Sequence, residues 1–579
     1  MISFHLLDLV LFFLPFIIIF IILKISQEKQ NKTLKEYFQA EGSMTWFVSG
    51  TAMVATTFAA DTPLAVTEIV RSDGISGNWL WWYMSLSGLV TVFFFSRLWK
   101  RSGAMTDLEL IHIRYSGSEA NVLRGFKAIF IGGILNLIIL GWVNLAMLKI
   151  IQVFFPVLPD WQILTGIMVL GIVYTAIGGL RGISYIDVFQ FFLAWFGCIL
   201  YAYFVLDVKE IGGIQSLVQN LKPEQLYFFP SFGSSGSLPL SHFIIMLTVI
   251  WWSSWYPGSE PGGGGYIAQR ILATKDEKAA VKSSLWFVLA HYFLRPWPWI
   301  LVALASLIAF PNLTAEESGK GFLLFLQLGL PPGIKGLLLS AFLAAYLSTV
   351  ATHLNWGASY LVSDFWKPFV KPKKEDQYYL KVSYLVQTIT GALSILLAIF
   401  GLETIKGAWV FLLEASSGIG FILIARWYYW KITAKTEILA IILSPVLYII
   451  ASRVLGLIFP YTVVFTSFLS IFILLFSTWI FPPTDLLRLK SFYETTKPPH
   501  YFWRGLYKRL EEKQPEFSSN LLFSFLGVFS GFSVILIGLL LIKAMLWDRE
   551  MILSYAVGFA FGSTFLVYSI RKFMEETRT

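Results

Sequence analysis

The sequence predicts an all-α polytopic membrane protein of about 15 transmembrane helices, N-terminus outside and C-terminus inside, around a five-plus-five inverted repeat. Three observations carry this reading. The 579 residues are 56% apolar and only 14% charged, with mean hydropathy +0.68, whereas a soluble domain carries about 25% charged residues. The apolar residues fall in unbroken runs on the scale of the roughly 20 residues that a hydrocarbon core demands. The basic residues also sort by loop: of 44 Lys and Arg, 33 fall on the side assigned to the cytoplasm, 8 outside and 3 within spans, as the positive-inside bias requires. The net charge of +9 therefore reports topology and not an acidic partner. Disorder, nucleic-acid binding and a secreted disulfide scaffold are excluded by the same composition. The single cysteine, Cys198, lies in an apolar run and has no partner for an internal disulfide.

In chain order the spans are expected at 6–25, 46–70, 79–95, 125–155, 163–176, 186–206, 242–256, 284–310, 337–359, 380–400, 408–425, 438–455, 463–480, 521–546 and 552–570. The first carries Asp8 and has neither a basic leader nor a small-residue cleavage site after it, so it reads as a retained helix. The expected divisions are an extra helix and cytoplasmic linker (1–43), a first inverted repeat (44–210), a second (240–428), two additional helices (429–480), a cytoplasmic loop (481–520), and a C-terminal helix pair with a short cytoplasmic tail (521–579). The loop holds a basic aromatic piece around Trp503, Arg504, Tyr507 and Arg509, expected to lie on the inner leaflet.

Two spans look broken. The second contains Asp61 and Pro63 in mid-span, and the seventh ends in Tyr256-Pro257-Gly258 and, after Pro261, the glycines 262–265. Broken membrane helices expose backbone groups that lipid cannot satisfy, so a break belongs where protein or a water-filled cavity receives them. These two breaks open blocks of five spans each, spans two to six and seven to eleven. Five is odd, so the blocks lie in opposite orientations, which is the arrangement of an inverted-repeat secondary transporter. For the Gly/Pro run a plain cytoplasmic turn is the other reading.

An ionisable residue inside a span costs roughly 2.5–3.5 kcal/mol on insertion scales, so by default it faces a cavity or a partner. Asp61, Glu68, Lys149, Asp187, Arg295 and Glu414 are such residues. In the ninth span Ala345, Ser348, Thr349, Thr352 and Ser359 share one helical face. A small, hydroxylated face packs closely against another helix, and its oxygens, with carbonyls freed by a broken helix, also suit a hard cation such as Na⁺.

The residues Ala55-Thr56-Thr57-Phe58, Thr106-Asp107, Gly178-Gly179-Leu180-Arg181, Asp187 with Gln190, Gln269-Arg270, and Ser348-Thr349 followed by Asn355, Ser359 and Asp364 together resemble the sodium/solute symporter family. The likeness covers roughly residues 44–427. It implies a LeuT-like fold and Na⁺ as coupling ion. It also implies a sodium site made by the carbonyls of Ala55, Phe58 and Ala345 and the hydroxyls of Ser348 and Thr349. Asp187 matches a family aspartate tied to sodium release or to a second sodium; an acid paired with Arg181 or Arg270 is the alternative. Ala351 stands where two-sodium members tend to have a hydroxyl, which favours one sodium per cycle.

Read physically, Asp61, Thr62, Glu68, Asn78, Trp79, Trp82, Asn144, Arg295, Trp409 and Glu414 are expected around the solute, and the resemblance implies an inner-gate aromatic, for which Trp252, Trp255 and Tyr256 are candidates. Aromatic faces with carboxylates and amides suit a sugar or polyol. Arg295 suits a carboxylate unless it pairs with Glu414 or Asp61, and the acids suit an amine. The expectation is a multi-pass plasma (inner) membrane symporter importing a small polar solute with sodium by alternating access. Its partners are solute, sodium and lipid, with no nucleic acid and no obligate protein. No nucleophile–base or metal-ligand spacing points to an enzyme. Proton coupling through Asp61 or Asp187, with an organic acid or amino acid as cargo, is one rival; a transporter-like solute sensor is another.

Overall fold

The computed structural model describes residues 4–27, 33–57, 59–230, 237–402, 404–515, 517 and 521–575. Among these residues the regular secondary structure is all helical, apart from one isolated bridge between Met44 and Thr274. Among the described residues eleven helices are long and apolar enough to cross a membrane, or twelve if Ile405–Ala415 and Gly420–Tyr428, which meet at 47°, form one span.

The difference from fifteen arises in three places. Trp46–Thr57 and Thr62–Asp73 are two short helices of 12 residues each, because the expected span is interrupted in its middle. Leu240–Ser253 stops early, before the Gly/Pro run. Two expected spans follow one another in Asp160–Leu206, 47 residues that change course at Gly179, with φ 51° and ψ −171°. As a single helix it would be about 70 Å long, twice the hydrocarbon thickness. The turn at Gly179 uses a conformation that only glycine adopts without strain.

Burial grades from centre to rim. The most apolar stretch of Ile334–Val370 is 89% buried, that of Arg549–Glu575 only 11%. Ile334–Ser359 packs on Asp160–Leu206, which also meets Trp46–Thr57. Small residues set the approach: Gly171 faces Val350, and Gly197 faces Ala341. Without a hydrophobic driving force between helices in lipid, such close contacts supply the packing energy. Thr62–Asp73 rests on Pro296–Ala309, so both halves of the broken helix are enclosed. The C-terminal pair seats on this core through Gly527 against Phe93 and Gly538 against Phe293.

The basic aromatic piece of the 481–520 loop turns two of its rings into the protein. Trp503 is wholly buried and its indole donates to the Trp427 carbonyl at 3.2 Å, while Tyr507 donates to Glu494 at 3.2 Å. These rings find partners in the protein's own core, and Tyr501 and Phe502 are the exposed aromatics.

Candidate ion and solute site

The last four carbonyls of a helix have no partner within it. At the end of Trp46–Thr57 side chains reach in to satisfy two of them. Arg295 Nη1 donates to the Val54 carbonyl at 2.8 Å, and the Thr349 hydroxyl donates to the Thr56 carbonyl at 2.8 Å. Arg295 is fully buried, with His291 Nδ1 accepting from it at 3.1 Å and its guanidinium 5.1 Å from the Trp299 ring centre. A cation at this helix end meets the negative pole of the half-helix. Arg295 thus caps a helix terminus, and neither Glu414 nor Asp61 is among the partners described for it.

Ala55, Ala345, Ser348 and Thr349 are all buried, and Thr349 also reaches the Ala345 carbonyl at 3.2 Å. Phe58 lies outside the described residues. Asp187 Oδ1 accepts from the Ser348 hydroxyl at 2.6 Å, and Oδ2 lies 3.7 Å from Arg270 Nη2. Arg270 in turn donates to Thr352 Oγ1 at 2.7 Å, whose oxygen is 3.0 Å from Thr56 Oγ1. Arg181 instead donates to the Ser43 hydroxyl at 2.9 Å. Asp187 therefore touches both an expected sodium ligand and, through Arg270, the broken helix.

Beside this network lies a cavity of about 60 Å³. Thr56, Asp61 and Thr62 from the first break, Tyr256, Pro257 and Ser259 from the second, and Thr349 from the central helix all contribute to its wall. Aromatic rings close it: Trp142 stacks on Tyr256 with centroids 6.5 Å apart, and Trp409 meets Tyr256 edge-on at 6.1 Å. The Tyr266 and Thr57 hydroxyls lie 2.8 Å apart. Since Thr57 donates to the Met53 carbonyl at 2.8 Å, Tyr266 is the donor, and the bond ties the two breaks together.

Of the nine residues expected around the solute in addition to Trp409, Asp61 and Thr62 line this cavity. The others are not among its lining residues and have protein partners. Glu68 accepts from the Lys406 backbone N–H at 3.3 Å, Asn144 from Tyr346 at 2.7 Å, and Glu414 from Thr462 at 2.5 Å. Trp79 donates to the Phe228 carbonyl at 3.0 Å, and Trp82 stacks on the Phe228 ring. Asn78 accepts from the Trp81 indole at 3.0 Å, so it holds a ring of the cavity wall without itself lining it. Among the gate candidates Tyr256 faces the cavity. Trp255 is buried beside Glu260 and Asp107 in a smaller pocket, and Trp252 packs against Phe468. Sequence reasoning passed over Trp142, Tyr266 and Tyr292, because an aromatic residue in a membrane span carries no cost that marks it. Their positions near polar breaks were the available signal.

A profile of the sodium:solute symporter family matches residues 37–443. The chain belongs to that family. It is therefore a membrane transporter with Na⁺ as coupling ion and not an enzyme. The sodium/glucose cotransporter of Vibrio parahaemolyticus is 22% identical over 457 residues, covering 74% of this chain and 81% of the relative. The sodium/sialic acid symporter SiaT of Proteus mirabilis is 23% identical, covering 64% and 74%. A substrate-bound, outward-open structure of a Na⁺-coupled sialic acid symporter superposes with TM-score 0.67 at 18% identity, covering 83% of this chain and 99% of the other. The symporter thus shares that fold, and its solute is a separate question.

Proposed function

We propose that this symporter imports a small organic solute across the plasma membrane by alternating access around the cavity between the two breaks, N-terminus outside, in a five-plus-five inverted repeat. Sodium is held by the Ala55 and Ala345 carbonyls and the Ser348 and Thr349 hydroxyls, with Phe58 as a further carbonyl. Asp187 acts in sodium release, poised between Ser348 and Arg270. The observation that carries this reading is the position of Thr349: its hydroxyl bonds the Thr56 carbonyl, and both residues also line the cavity. An ion drawing those oxygens to itself fixes the broken helix and with it the cavity wall, so ion and solute share one two-state element. The ion's entry is driven by the membrane potential, about 2.3 kcal/mol per charge per 100 mV. Membership of the family, and the hydroxyls on one face of the central helix, support the sodium assignment.

Uptake into proteoliposomes from a panel of labelled solutes, with and without a sodium gradient, tests the reading. Ser348→Ala with Thr349→Ala should raise the half-saturating sodium concentration at least tenfold. Unchanged sodium dependence in the double variant refutes the site, and uptake that follows an imposed pH gradient without sodium refutes sodium coupling.

A further inference from the structure

The solute class expected from the sequence was a sugar or polyol, but most of the residues behind that expectation are absent from the cavity lining. What lines the cavity is different in kind. Asp61 contributes a carboxylate there. Thr62 donates to it at a long 3.5 Å, and among the described residues no Lys, Arg or His lies within ion-pairing distance of it. Most hydroxyls of the wall are engaged with the protein itself. Thr57 bonds Met53 and Tyr266, Thr349 bonds Thr56, and Ser259 bonds the Tyr292 hydroxyl at 3.1 Å. A polyol needs several free donors and acceptors, and unpaired polar groups are penalised on binding. An anionic solute meets the like charge of Asp61 at close range.

We propose that the cavity between the two breaks binds a small organic ammonium ion, with Asp61 as counter-charge and the Trp142, Tyr256 and Trp409 rings as an aromatic cage. This rests on the symporter reading above and names its solute class. A cation over the face of Trp or Tyr is attracted by the ring quadrupole, most strongly where water is excluded, and alkylated ammonium groups suit such cages because they need few hydrogen bonds. A bare Na⁺ requires several oxygen ligands, which rings do not supply. The size agrees: at about 10–15 Å³ per water, 60 Å³ holds roughly four to six waters, the scale of an ammonium group with one short substituent.

The test is thermal denaturation of the purified full-length protein in sodium buffer with tetramethylammonium, with choline, or with 3,3-dimethylbutan-1-ol, the uncharged isostere of choline. Expected is a rise in Tm with at least one ammonium ion, none with the isostere, and at least a tenfold weaker apparent affinity for that ion in Asp61→Asn. Asp61→Glu, which keeps the charge, should retain the shift. An equal shift with the isostere, an undiminished response in Asp61→Asn, or no shift with either ammonium ion overturns the inference. Should Asp61→Asn fail to fold, the ammonium–isostere comparison on the unmodified protein still decides. Failure of the underlying reading looks different. Sodium-driven uptake of labelled glucose or lactate with choline inert leaves sodium symport standing and overturns the ammonium assignment, whereas choline uptake indifferent to sodium does the reverse.

Discussion

The two breaks solve one physical problem in different ways. At the first, between Trp46–Thr57 and Thr62–Asp73, no glycine intervenes. The freed carbonyls are met by side chains from other helices, Arg295 on Val54 and Thr349 on Thr56. At the second, between Ser253 and Gly265, the chain turns on glycines with positive φ, Gly258 at 81° among them, and its neighbours press against bare backbone, while side chains meet carbonyls here too, the Trp99 indole on Gly262 at 2.8 Å and the Ser416 hydroxyl on Trp255 at 2.6 Å. A break held by side-chain donors can exchange those donors for an ion. A break that also turns on close-packed glycines has less freedom to shift and serves as a wall. The first therefore suits a site that changes state, and the second suits the surface it moves against.

This contrast can be broken by substitution. The largest effect is expected at Gly258→Ala, where φ of 81° costs a non-glycine residue about 1–3 kcal/mol and a Cβ would overlap the Tyr266 hydroxyl. Most of the protein should fail to elute as a monodisperse peak, and sodium-driven uptake should be lost. A folded, active variant would show that the second break is not held by packing. Next comes Arg295→Met, which leaves the Val54 carbonyl without its donor, a loss of about 1.5–3 kcal/mol for a charged hydrogen bond. Thermal denaturation of the purified protein should begin at a lower temperature, and an unchanged midpoint would show that the first break does not depend on its side-chain cap. Smallest is the link between the breaks. Thr57→Val and Tyr266→Phe, alone and together, should give a coupling energy of about 1 kcal/mol in a double-mutant cycle. Strict additivity would mean that the two breaks are energetically independent.

The breaks were legible in the sequence because they are local. Pro63 after Asp61, and Pro257 with the glycines after it, are helix-breaking signals confined to a few residues, although Pro15 and Pro445 stand inside continuous helices. The central hydroxyl face of Ser348, Thr349 and Thr352 was legible for the same reason, since helical periodicity alone aligns it. The solute wall was legible at Asp61, Thr62 and Tyr256 but not at Trp142 or Tyr266. Asn78 and Glu414 illustrate why. Each is polar and sits in or beside an expected span, as a ligand-binding residue would, yet Asn78 is spent on Trp81 and Glu414 on Thr462. The cost of placing a polar group in lipid says that it needs a partner, and it is silent on whether the partner is solute or protein.

By itself the sequence determined that the chain is an all-helical membrane protein, where two of its helices break, and which face of the central helix is polar. Hydropathy and helix-breaking chemistry act within a few residues and need no knowledge of the rest. Only the tertiary structure decided that Arg295 is a helix cap, that Arg270 and not Arg181 faces Asp187, and that Asp61 stands in an aromatic cavity where, among the described residues, no cation of the protein's own lies beside it. Each of those depends on contacts between residues more than 80 positions apart, or on their absence, and a charge's role in a membrane is set by what the fold brings next to it.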